Sequence, residues 1–223
     1  MRNFVISSGY IAFKFKDGII MACDTQGSYG SLAKYRDIRR LVKLSPTTLS
    51  CFAGEVSDCQ NLIGTLQMII EEDKQQMSPS GFHRLTQRII YKARSRMEPY
   101  NVSVVIGGLQ KDTSNEQVVD EKGRVLGGIN HLGNPHFSEA VSTGMASYIA
   151  LPFLRSIELS ELSREEAIKV AEEALRIMCY RSTRNSNRIQ IGVVDSNGVE
   201  ISEPYTFETK WEMGLLPGEQ ILM

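Results

Sequence analysis

The sequence predicts an α+β fold: a four-layer αββα sandwich in which two antiparallel sheets lie face to face and a helix pair covers each outer side. Three observations predict it. The chain runs strands, two helices, strands, two helices, strands. Most strands are joined by short turns, and short turns make antiparallel hairpins. Each helical segment carries an apolar face that needs a sheet to cover. One domain suffices for 223 residues and is long enough to bury a large core.

The elements follow in order. Residues 10–15 (YIAFKF) are apolar and favour a strand. Asp17-Gly18 reads as a tight turn of the kind that needs positive φ, and 19–23 (IIMAC) as a strand covered on both faces. The basic run 36–43 (RDIRRLVK) alternates with apolar residues, as in a strand with one wet face. Segments 41–44 and 48–53 pair across Ser45-Pro46-Thr47. The period then changes to 3.6, and Leu62, Leu66, Ile69 and Ile70 mark a helix that starts after Gly54. A second helix opens at Ser78-Pro79, serine as cap and proline in the first turn, with Phe82, Leu85, Ile89 and Ala93 as its buried stripe.

Strand character returns at 102–106 (VSVVI), and Val118-Val119 and Val125-Leu126 flank a turn at 120–123 (DEKG). A third helix is expected over about 142–156. A fourth starts at Ser163, where Glu166 completes a capping box, and buries Ile168, Ala171, Leu175 and Met178. Segments 189–194 and 199–201 close a hairpin over 195–198 (DSNG).

Composition narrows the function. The formal net charge of -1 gives no reason to expect nucleic acid or an anionic membrane as a partner. No apolar run is long enough to span a bilayer, and MRNFVISSG has neither a signal-peptide nor a transit-peptide pattern. Cys23, Cys51, Cys59 and Cys179 form no C-x-x-C pair, so zinc or redox chemistry has no motif. The expected location is cytoplasmic and nuclear. His83, within the second helix, reads as a surface or capped residue. His131 and His136 fall in a Gly/Asn/Pro loop without neighbouring ligands. Gly107-Gly108 and Gly127-Gly128 lack nucleotide-loop spacing, and Glu71, Glu72 and Asp73 read as a solvated helix end. No cofactor is expected.

Four segments carry more: FKFKDGIIMACD (13–24), GSYGSLAKYRDIRRLVKL (27–44), FAGEVSDCQNL (52–62) and YRSTRNSNRIQIGVV (180–194). Their order and content resemble the β-type subunits of the proteasome, members of the N-terminal nucleophile (Ntn) hydrolase fold. The resemblance covers about 9–211. GSYGSLAKYR, RIQIGVV and ETKWEM are most similar to the non-catalytic β7-type subunits of the eukaryotic 20S particle.

The resemblance implies a site to test. Active members use a threonine freed as the first residue by self-cleavage behind a glycine. Its amine or a water serves as base, helped by an aspartate, a lysine and a serine–aspartate–serine group. A hydroxyl attacks only when a positioned base takes its proton. Here Ser8 falls at the nucleophile position, behind Ser7 rather than glycine. Asp24 matches the aspartate, and Gly54 matches the glycine whose N–H forms the oxyanion hole. Arg40 replaces the lysine, Met145 the helper serine, Ser182 the second aspartate and Asn185 the second serine. Segment 181–188 has no carboxylate in any register. The expectation is a degenerate site: nothing accepts the Ser8 proton, and the residues before Ser8 fill the substrate's space.

Residues 1–205 form the expected domain and 206–223 an extension. Its apolar residues Trp211, Met213, Leu215, Leu216, Ile221 and Leu222 make it an interface element. Extended, it reaches at most about 60 Å. The resemblance implies that it docks on the opposite β ring of a 28-subunit hetero-oligomer, with β and α-ring subunits as partners. The role is then structural, in ring assembly and proteasome-dependent protein degradation. Two alternatives remain: an active serine-type hydrolase processed between Ser7 and Ser8, and a stand-alone binding module.

Overall fold

The computed structural model describes residues 4–72, 77–111 and 118–211. Strands β1 (Val5–Ser7), β2 (Tyr10–Phe15), β3 (Gly18–Asp24), β4 (Gly27–Tyr29), β5 (Leu32–Tyr35), β6 (Leu41–Ser45) and β7 (Thr48–Glu55) come first. Helices α1 (Val56–Glu72) and α2 (Pro79–Ser95) follow, then β8 (Val102–Leu109), β9 (Arg124–Ile129), β10 (Pro135–Phe137) and β11 (Ala140–Ser142). Helices α3 (Ala146–Arg155) and α4 (Arg164–Arg181) lead to β12 (Arg188–Asp195), β13 (Gly198–Ile201) and β14 (Tyr205–Thr206).

One sheet runs β10-β9-β8-β7-β1-β4-β5, with β6 also on β7. The other runs β11-β2-β3-β12-β13, with β14 also on β12. The pairings are antiparallel. Tyr10, Ala12, Met21 and Cys23 of one sheet meet Leu49, Cys51, Val105 and Leu126 of the other. On the outside, Ala150, Leu154, Ala171 and Met178 of α3 and α4 cover Ile11, Phe13, Ile20 and Ala22. Leu62, Leu66, Phe82 and Ile90 of α1 and α2 cover Phe52, Val104 and Ile106. The expected α+β four-layer αββα sandwich is present. The capping box at Ser163 is complete, with Glu166 N–H on the serine oxygen and the Glu166 carboxylate on the Ser163 N–H.

Local expectations fail in instructive ways. Gly18 is not at positive φ. It is needed because a Cβ there would lie 2.0 Å from the Val194 carbonyl oxygen, a close approach within the β3–β12 pairing. Segment 36–40 is loop rather than strand, and Arg40 is only 3% exposed. Val118-Val119 forms no strand, although Val119 is buried. Residues 140–142 form β11, so α3 starts at Ala146, four residues later than its expected start. His136 lies in strand β10, not a loop. The buried face of α2 is Phe82, His83, Thr86 and Ile90. Leu85, Ile89 and Ala93 are only partly covered, and His83 is a core residue. Periodicity alone scores a histidine as polar, which rotates the stripe. Phe207, the second residue of the expected extension, is buried against the α3–α4 core.

The arrangement around β7 positions the site. β6 pairs with the first half of β7, from Thr48 to Cys51. β1 pairs with its end, at Gly54 and Glu55. Between them a short length of the β7 edge is left open, and Arg40 closes it: its carbonyl accepts the Phe52 N–H at 3.2 Å.

Candidate functional site

Ser8 sits between β1 and β2, opposite the end of β3, where Asp24 emerges. The Ser8 hydroxyl donates to Asp24 Oδ1. It accepts from Asn185 Nδ2 at 3.2 Å and, more weakly, from Arg40 Nη2 at 3.4 Å. Arg40 Nη2 meets Asp24 Oδ1 at 2.6 Å in an ion pair buried on both sides. Its Nε and Nη2 also donate to the Asp24 carbonyl, at 3.1 and 2.7 Å. Nη1 donates to the Ser8 carbonyl. The remaining oxygen of Asp24, Oδ2, accepts the Ser186 N–H at 3.0 Å. Burial pushes the Asp24 carboxyl up from the usual carboxylate range, against the pull of Arg40, Ser8 and Ser186.

Asp24 accepts a hydrogen bond from the Ser8 hydroxyl. It holds that hydrogen without removing it, because a carboxylate is a far weaker base than an alkoxide. Arginine stays protonated and cannot relay a proton. The nitrogen of Ser8 in this chain is the amide that follows Ser7.

Gly54 lies in β7 at φ 116°, a conformation that suits glycine. A Cβ there would also lie 2.2 Å from the Asn101 carbonyl oxygen. Its N–H donates to Ser7 Oγ at 3.2 Å, and Ser7 Oγ donates back to the Gly54 carbonyl at 3.1 Å. The backbone of β1 lies between β4 and β7, with Ser7 opposite both Gly27 and Gly54 and Ile6 opposite Ser28 and Glu55. The strand slot in front of Ser8 is therefore filled by the chain's own residues 5–7. Beside it, a cavity of about 270 Å³ is lined by Ser7, Ile38, Arg40, Phe52, Val56 and Cys59. Burial pushes the Cys59 thiol up to about 12, which leaves it protonated.

The downstream positions divide. Asn185 is buried and reaches Ser8; its Oδ1 has no partner among the described residues. Ser182 caps α4 instead: its N–H donates to Met178 O at 2.9 Å, and its carbonyl accepts from Asn185 N–H at 3.2 Å. Met145 precedes α3 as a half-exposed N-cap without a side-chain capping bond. Its turn packs on Gly9, where a Cβ would lie 2.1 Å from Thr143 O. Two partners escaped sequence reasoning. Ser186 contributes a backbone N–H, which no residue type advertises, and the Ser7 hydroxyl acts through strand register. At the other end Trp211 packs edge-on against Tyr180, centroids 5.0 Å apart, and stays 66% exposed. Met213, Leu215, Leu216, Ile221 and Leu222 lie outside the described residues.

A family model described as proteasome subunit matches residues 7–194. The chain belongs to the proteasome subunit family. It is 45% identical over the full length of both chains to a probable proteasome subunit beta type-7 of Encephalitozoon cuniculi. It is 34% identical to proteasome subunit beta type-4 of Xenopus laevis, over 97% of this chain and 88% of that one. Against proteasome subunit beta type-7 of Saccharomyces cerevisiae the identity is 26%, over 93% and 81%. The sandwich is the Ntn-hydrolase fold of this family, and the chain is a β-type proteasome subunit, part of a multi-subunit proteolytic complex.

Proposed function

We propose that this subunit is non-catalytic and works by contact: it fills a place in a β ring of the 20S core particle and helps join the two rings. The supporting observation is the filled slot. Strand β1 lies where an extended peptide would have to pair, and Ser7 Oγ takes the Gly54 N–H that the family's chemistry would aim at an oxyanion. Arg40 stands in the lysine's place, with its donors spent on Asp24 and the carbonyls of Asp24 and Ser8. Its partners are then β subunits of the same and the opposite ring and α-ring subunits, in a 28-subunit particle of cytoplasm and nucleus. Residues 208–223, beyond Phe207 of the core, act as a docking extension. Particles carrying Ser8→Ala are expected to hydrolyse peptides at the unaltered rate; loss of one specificity with assembly intact would count against the reading. Deleting residues 211–223 is expected to slow ring joining on native gels, and normal double rings would dismiss the extension's role.

A second reading has one observation in its favour: Asp24 and Asn185 hold the Ser8 hydroxyl in a defined orientation. Cleavage between Ser7 and Ser8 would free an amine and release β1 together. The intact mass of the chain from assembled particles separates the readings, since only the second gives a chain starting at Ser8.

A further inference from the structure

Far along the sequence from Ser8, α2 carries a row of exposed cations. Arg84, Arg88 and Lys92, with Arg96 at the C-cap, follow one another at intervals of four residues. Arg94 adds a further charge, and α2 has no Asp or Glu. Side chains four apart are neighbours on a helix, and like charges there repel. The row covers roughly 18 Å of helix axis. Some exposed cations elsewhere are paired, as Arg39 is with Glu203, Arg164 with Glu200 and Arg188 with Asp37; others, such as Lys34, Arg36 and Arg155, stand singly, whereas α2 lines its cations up on one face. None of the four in the row has an ion-pair partner among the described residues. Left alone, the row costs stability.

The row ends at a cavity of about 440 Å³, with Ile89, Ala93, Pro99 and Tyr100 among its lining and Lys92 and Arg96 at its edge. Beside it, α2 closes in a Schellman motif: Glu98 N–H donates to Ala93 O and Met97 N–H to Arg94 O, both at 3.1 Å. The left-handed position of that motif suits glycine, yet it holds Met97, at φ 64° and 89% exposed. A strained methionine pointing into solvent, a cavity and an unpaired cationic row thus adjoin one another.

We propose that this face docks an acidic segment of a partner protein, its carboxylates along Arg84, Arg88, Lys92 and Arg96 and one apolar side chain in the cavity. Charge complementarity selects an anionic partner, and the cavity selects a protein over a nucleic acid. Asp58 and Glu98 also line that cavity, and they repel a continuous polyphosphate while tolerating a neutral side chain. The inference is independent of the Ser8 reading.

The test uses the full chain and a fluorescein-labelled peptide of six glutamates followed by one phenylalanine. Its controls are the same peptide ending in serine and a hexathymidylate. Fluorescence anisotropy is expected to show binding that weakens steeply from 50 to 200 mM salt, with the phenylalanine peptide preferred. Replacing Arg88 and Lys92 by Glu is expected to lower affinity at least about tenfold while the melting temperature holds or rises. The milder Arg88→Gln with Lys92→Gln gives the same direction. Ala93→Trp, which fills the cavity, is expected to remove the preference for phenylalanine. Absence of peptide binding, binding indifferent to these substitutions, or tighter binding of the oligonucleotide overturns the proposal.

Discussion

Asp24 and His83 are each about 1% exposed, yet they are buried on opposite terms. Asp24 goes in beside Arg40, with Ser8 O–H and Ser186 N–H also aimed at its oxygens. His83 goes in beside Phe137 and the backbone of Gly127 and Gly128. A single long contact of 3.4 Å joins Nε2 to the Gly128 carbonyl. Burial pushes His83 down to about 4, with Gly128 opposing and the nearby His136 and Arg84 adding to the fall. A buried charge must be met by partners; a buried neutral ring needs little more than room. The difference says where this molecule is brittle. The Asp24 cluster fails when a partner is removed, whereas the His83 pocket fails when a proton arrives.

The largest expected effect follows from breaking the first arrangement. Arg40→Met leaves Asp24 buried without its cation and is expected to cost about 3–5 kcal/mol in urea unfolding. Adding Asp24→Asn should recover part of that loss, and a single-variant cost below about 1 kcal/mol would erase the contrast. The second effect is a pH dependence. The folded pKa of His83 lies below its ordinary value of 6.5, so the unfolded chain binds more protons between the two. Stability is present above pH 6.5 and is lost as pH falls to about 4, by up to roughly 3 kcal/mol. His136, lowered by partial burial, acts in the same direction. His83→Gln should flatten this slope, whereas an unchanged slope would place the titration elsewhere. The smallest effect belongs to Ser7, a neutral version of the Asp24 arrangement. Ser7→Ala leaves the Gly54 N–H without its oxygen and should cost about 1 kcal/mol, read as faster amide exchange at Gly54.

Much of the layering was legible because hydrophobic period reports it directly. Residues 10–15 and 19–23 read as strands, and Ser78-Pro79 and Ser163 placed two helix starts to the residue. The short strands β1, β4, β5, β10 and β11 did not read, since three or four residues hold no period and are fixed by their neighbours. In the site, Ser8, Asp24, Arg40 and Asn185 came from resemblance and do meet, while Gly54, from the same source, bonds to Ser7. Met145 and Ser182 occupy the implied positions but make no side-chain bond to Ser8. Arg40 looked like one charge among several in a wet strand, because nothing local to RDIRRLVK says which arginine turns inward. That choice is made by Asp24, sixteen residues away in the chain.

If the subunit is non-catalytic, as we propose, the Ser8 oxygen, walled in by β1 and tied to Asp24, does not react with peptide electrophiles. Assembled particles can be treated with a peptide boronate and a peptide epoxyketone until their active neighbours are fully labelled, and this chain then weighed intact and mapped by digestion. An unlabelled Ser8 with the β1 residues still attached is the expected result. A covalent adduct on the Ser8 oxygen, on a chain that begins there, would contradict it.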